Sequence, residues 1–117
     1  MNGIGAYEIP LLRFAGIASS EVELHRFLKV NADGSFGYAT AGTDIVTGVS
    51  GDHVSGGNPL DILTGIVIVE ASAAITTGAK VIATVDGKAV TATTEAGAGV
   101  CLTGASAAGQ YITVKLF

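Results

Sequence analysis

The stretch RFLKVNADGSFGYAT, residues 26–40, returns 53 positions later (79 − 26) as AKVIATVDGKAVTAT, residues 79–93. Leu28 falls on Val81, Asp33-Gly34 on Asp86-Gly87 and Ala39-Thr40 on Ala92-Thr93. In each copy a short apolar run enters an Asp-Gly pair. That pair tolerates the positive φ angles of tight hairpin turns, so a returning strand is expected after it. The first strands are expected over 27–30 and 81–85 and the returning strands over 35–40 and 88–93. Asp33, Gly34, Asp86 and Gly87 are then structural turn residues.

The repeat extends outward from this stretch. Val22 falls on Ile75, and Val49-Ser50-Gly51 on Leu102-Thr103-Gly104. With one deletion in the following loop, Gly57 matches Gly109, Leu60 matches Ile112 and Ile62 matches Val114. The end of the chain alternates, with Tyr111, Thr113, Lys115 and Phe117 on one side and Ile112, Val114 and Leu116 on the other, the period of a half-buried strand. No window of about a dozen residues keeps a helical period free of Gly, which costs about 1 kcal/mol in a helix interior. The segment SEVELHRFL, residues 20–28, is the one helix candidate; its repeat partner AAITTGAKV contains Gly78, so an irregular approach is expected in both copies. The reading is an all-β protein, a small compact β-barrel or β-clip-like domain over 19–117, built from tandem pseudo-repeats at about 19–70 and 71–117.

A chain of 117 residues makes one domain. Its apolar content is mostly small: 17 Gly, no Trp and abundant Ala predict a thin core. Such a core leaves modest stability for a lone monomer, so partner subunits are expected to supply the rest. Residues 1–18 differ in character, with Ile4, Tyr7, Ile9, Leu11, Leu12, Phe14 and Ile17 set among Gly, Ala and Pro. They read as an extended N-terminal arm that orders only where a surface receives those side chains. The receiving surface is either a neighbouring protein or the chain's own domain, where 10–17 echo 59–66 from Pro-Leu to Gly-Ile.

The net charge of −4 offers no clustered Lys and Arg for a phosphate backbone, so nucleic acid is not expected as a partner. The longest apolar run, 62–69, falls far short of the ~20 residues of a membrane span, and no secretory leader opens the sequence; a soluble protein is expected. Cys101, flanked by Val100 and Leu102, reads as a buried small residue in a reducing compartment.

Chemistry is sparse. Asp44 and Asp52 are the carboxylates that would serve His53 as co-ligands, but no second His or Cys stands at ligand spacing, so no metal site is expected. The Gly-rich loop around 50–58 has neither a G-x-x-x-x-G-K-[ST] pattern nor a following helix, so no phosphate or cofactor site is expected. Glu21 and Glu23 would share a face only on a strand, where two like charges usually mark a wet surface. The Ser and Thr hydroxyls lack an activating base nearby in sequence. The protein reads as no enzyme, with no catalytic residue and no cofactor.

Taken together, the apolar arm and the duplicated unit of apolar strand, Asp-Gly turn, Ala/Thr-rich return, Gly-rich loop and closing strand resemble the small capsid decoration, or cement, proteins of tailed bacteriophages. The likeness is carried by 26–30 with Asp33-Gly34, by 75–81 with Asp86-Gly87, and by 111–117. It implies a homotrimer on the outer surface of a capsid, with the major capsid protein as partner. The arm residues Ile4, Tyr7, Ile9, Leu11, Leu12 and Phe14 would make the capsid contact, and the protein would pass through the host cytoplasm before assembly into the virion. An acidic chain suits an outer position. The recombinase label given to some such proteins draws no support, since the phosphate-binding lysine motif is missing. Two other classes compete: a small-molecule or carbohydrate-binding β module, weakly signalled by three Tyr and four Phe without Trp, and a domain of a hydrolase or a regulatory subunit that works with a partner.

Overall fold

The computed structural model describes residues 6–93 and 96–117. Among them run nine strands: β1 (Ile9–Ile17), β2 (Phe27–Val30), β3 (Phe36–Tyr38), β4 (Gly48–Ser50), β5 (Pro59–Glu70), β6 (Lys80–Ala83), β7 (Ala89–Thr91), β8 (Gly99–Thr103) and β9 (Tyr111–Leu116). The one helical turn among the described residues is a 3₁₀ turn at Val85–Gly87. The named strands pair only antiparallel, in the order β3-β2-β4-β5-β9-β8-β6-β7, with β1 on β5, while the isolated bridges Ala18–Phe36 and Ala71–Ala89 are parallel. The sheet curls into a half-barrel.

The repeat is written in the hydrogen bonds. Ser19 N–H donates to Phe36 O as Ser72 N–H does to Ala89 O, and Val22 bridges Val54 as Ile75 bridges Ala105. Both Asp-Gly pairs sit in tight turns. Asn31 N–H reaches Ser35 O across the first, and Thr84 N–H reaches Lys88 O across the second. In the first turn only Gly34 has positive φ; in the second both Asp86 and Gly87 do. The Asp33 carboxylate caps Ser35 N–H at 3.0 Å.

Two features differ from the expectation. Val49 stands opposite Phe27, while its counterpart opposite Lys80 is Val100, two residues before the Leu102 that the sequence alignment pairs with it. The reason is loop length: eight positions separate Ala39 from Thr47 (47 − 39), but six separate Ala92 from Ala98 (98 − 92), although both pairs make the same bonds to β2 and β6. The deletion therefore precedes β8.

The second difference concerns the arm. Residues 9–17 are not an appendage but a strand paired along β5, from Ile9 opposite Ile66 to Ile17 opposite Pro59. Ile17–Pro59 corresponds to Glu70–Tyr111, and Gly16–Leu60 to Val69–Ile112. Thus β1 occupies on the first half of β5 the place that the second half of β5 occupies on β9. The unit begins at β1, and β5 is common to both units: it closes the first and opens the second. Of the two receiving surfaces open to this segment, its own sheet holds residues 9–17. The physical reason is backbone pairing, which needs no apolar periodicity to be satisfied.

β5 also explains how small side chains make a core. Leu60 and Ile62 point to one face, into a cluster with Ala18, Val22 and Leu28. Leu63, Val67 and Val69 point to the other, into a larger cluster with Phe27, Val49, Ile75, Val81, Ile112 and Val114. That larger cluster holds five buried alanines (Ala39, Ala71, Ala83, Ala89 and Ala105) and a single aromatic ring, so its layer is thin.

Candidate interaction surface

An edge strand that carries apolar side chains outward presents both unpaired backbone groups and greasy area. β1 is such a strand. β4 and β9 line the edge of β5 opposite β1, since Leu63 pairs with both Arg13 and Val49, and Ile66 with both Ile9 and Lys115. The other edge of β1 carries no named strand among the described residues. Ile9 (55%), Leu12 (58%) and Ile17 (47%) are exposed along it.

The residues expected on this surface divide in three. Ile9 and Leu12 lie open, and Tyr7 lies at the margin of exposure. Phe14 turns inward, half-buried, edge-to-face with Phe36 at 6.0 Å between ring centroids, so it anchors β1 instead of presenting it. Leu11 lies within β1, and Ile4 lies outside the described residues. Arg13 adds an exposed ion pair to Asp61.

Tyr7 is fastened by one side chain. Its N–H donates to Thr113 Oγ1 at 2.6 Å, and the same hydroxyl donates to Tyr7 O at 2.9 Å. Thr113 is thereby fully buried, although the alternation of β9 would leave it wet like Tyr111 and Lys115.

A second group of polar residues lies where the two units meet. Arg26 Nη2 pairs with Glu70 Oε1 at 3.1 Å, while Nη1 donates to Asp86 O at 2.9 Å. Lys88 Nζ reaches the other Glu70 oxygen at 3.7 Å. Beside it His25 adopts φ +62°, uncommon outside glycine. Its ring packs edge-to-face on Tyr111 at 5.2 Å. Burial pushes the His25 pKa below the ordinary 6.5, against the opposing pull of Glu8, the Ile68 backbone and Glu70. Burial likewise pushes the Cys101 thiol up, and its Sγ donates to Thr103 O at 3.1 Å, so its thiolate character is low.

The third group is at His53, which is exposed. Its imidazole is met not by Asp44 or Asp52 but by Glu21 and Glu23. Asp44 instead caps Thr40 and Ala41 N–H, and Asp52 accepts from Asp61 N–H. The Glu21 hydrogen bond, then the Glu23 charge, raise the His53 pKa. The sequence hid this meeting because it depends on the Val22–Val54 bridge, whose register only the fold supplies.

The fold and surface together define a class: a small, duplicated, curled all-β domain with an apolar edge strand. The chain has the fold of the head fiber gp8.5 N base of bacteriophage phi29, whose crystal structure matches it with a TM-score of 0.75 at 23% identity, over 91% of this chain and 93% of that one. No protein-family model matches the chain, and no curated protein does.

Proposed function

We propose that this protein is a structural component of a bacteriophage virion, bound to the outside of the head. Its role is to decorate and stabilise the shell, not to catalyse a reaction. The observation that carries the reading is the fold shared along almost the whole chain with a phage head-fiber base. The exposed apolar residues of β1 support it, since they supply the kind of surface that a permanent partner covers.

In this reading the major capsid protein is the partner, and Ile9 and Leu12, with Tyr7 beside them, make the contact. The protein assembles as a homotrimer, which offsets the thin alanine-rich core by adding subunit interfaces. Three linked copies also add avidity, so each capsid contact need only be modest.

The test mixes purified protein with phage heads lacking it and measures occupancy by electron microscopy and head survival on heating. Deleting residues 1–17 would remove β1 itself, so Ile9→Ser and Leu12→Ser are the better probes. Occupancy and heat resistance should fall together in the double variant while the isolated protein stays folded. No binding of the unaltered protein to heads would overturn the reading.

A further inference from the structure

The bridge between Val22 and Val54 is closed by two hydrogen bonds, Val22 N–H to Val54 O at 2.9 Å and Val54 N–H to Val22 O at 3.0 Å. Both valines face inward, and Val22 is fully buried. Side chains alternate along extended backbone, so the residues on either side of the bridge face outward together. Those residues are Glu21 and Glu23 beside Val22, and His53 and Ser55 beside Val54. Glu23 and His53 are cross-strand neighbours, and Glu21 is the diagonal one.

Three donor atoms converge there, all within 4.8 Å of one another. His53 Nε2 lies 2.9 Å from Glu21 Oε2 and 3.5 Å from Glu23 Oε2. A neutral imidazole Nε2 has at most one proton, so it bonds one carboxylate and leaves the other beside it without a donor. Among the described residues no lysine or arginine pairs with Glu21 or Glu23. Two carboxylates are therefore held together by a single ring nitrogen on a chain of net charge −4.

Ligands of a tetrahedral zinc ion, at about 2.0–2.1 Å from the metal, stand roughly 3.3 Å apart from one another. The two separations from His53 Nε2, 2.9 and 3.5 Å, straddle that value. A cation in place of the ring Nε2 proton would coordinate all three groups and neutralise the uncompensated charge. The second unit is the internal control. Its bridge, Ile75 to Ala105, has the same hydrogen bonds, but Ala74, Thr76 and Gly104 stand where Glu21, Glu23 and His53 stand in the first. The fold does not require the donor set; only the first unit carries it.

We propose that Glu21, Glu23 and His53 form a surface site for a divalent transition-metal ion of the zinc type, with a fourth coordination position open to solvent or to a neighbouring molecule. Imidazole selects such ions over Mg²⁺ and Ca²⁺, which prefer all-oxygen shells. The site is independent of the capsid reading and stands whether or not β1 binds a shell.

The test uses the untagged full-length chain. Co²⁺, as a spectroscopic stand-in, should give the visible absorption of a low-coordinate site, and Zn²⁺ should displace it with a stoichiometry of one. Calorimetry in buffers of different ionisation heat should show proton release below the raised pKa of His53. His53→Ala, and separately Glu21→Gln with Glu23→Gln, should weaken Zn²⁺ binding at least about tenfold, as losing even an outer-sphere partner does. These side chains are exposed, so circular dichroism without metal should be unchanged. The proposal is overturned if Zn²⁺ does not bind, if His53→Ala binds it as well as the parent, or if Mg²⁺ binds equally tightly.

Discussion

Gly87, in the turn of the second unit, lies against the carbonyl oxygen of Phe27 in the first: a β-carbon on Gly87 would stand 2.6 Å from it. Gly34, at the same place in the first unit, has nothing within 4 Å of the corresponding position. Both have positive φ, +72° and +88°. Gly34→Ala should thus cost only the left-handed backbone penalty, about 1 kcal/mol. Gly87→Ala adds a collision with backbone and should cost about 2–3 kcal/mol or more. Urea unfolding of the two variants measures the difference, and equal losses would mean that the second turn does not pack on β2.

Arg26 and Glu70 join the two units by a largely buried ion pair, with side chains 12% and 18% exposed. Glu70→Gln leaves Arg26 and Lys88 facing an amide and should destabilise the fold by about 1–3 kcal/mol. Replacing Arg26 and Glu70 together by Met should recover most of that loss, because the desolvation of both charges is removed with their attraction. A double-mutant cycle in urea reports the coupling.

The two histidines should act oppositely on stability as pH changes. Burial holds His25 below its ordinary pKa of 6.5, so the unfolded chain takes up the proton first. The stability contributed by neutral His25 is present above about pH 6.5 and is lost as pH falls toward its lower folded value. His53 is raised by Glu21 and Glu23, so its contribution is present below pH 6.5 and is lost as pH rises through its folded value. His25→Asn, which tolerates the positive φ, should flatten the acid-side loss. His53→Gln should flatten the other. Unfolding midpoints across pH 5 to 8, about the range in which histidine titrates, separate the two.

Thr113 fastens Tyr7 through both of its hydrogen-bonding roles. Thr113→Val keeps the shape but leaves Tyr7 N–H and C=O without that partner, a loss of about 1–2 kcal/mol borne mainly by the segment before β1. Limited proteolysis should cut near Tyr7 sooner in the variant, while the core strands keep their hydrogen-exchange protection.

Much of the fold was legible because turn chemistry and repetition are local signals. Asp33-Gly34 and Asp86-Gly87 marked the hairpins, and sliding the sequence against itself paired Leu28 with Val81 and Ile62 with Val114. β1 was harder to read, because Phe14 and Gly16 match Val67 and Val69 only in backbone pairing, not in residue type. Val49 aligned by chemistry with Leu102 but by hydrogen bonding with Val100, since loop length is invisible to residue matching. The Glu21, Glu23 and His53 group escaped for a related reason: ligand spacing along the chain is informative only when both partners sit on one element, and here a long-range bridge brings them together.

The double duty of β5 limits how this sequence can drift. A residue gained or lost between Ile62 and Val67 would put the two halves of β5 out of phase, so that Leu60 and Ile62 could keep to their cluster only if Val67 and Val69 turned out of theirs. Changes of length are affordable only away from that shared strand. The two copies have diverged accordingly, by two residues in the passage before β4 and β8, so ancestry has recorded where the molecule tolerates editing.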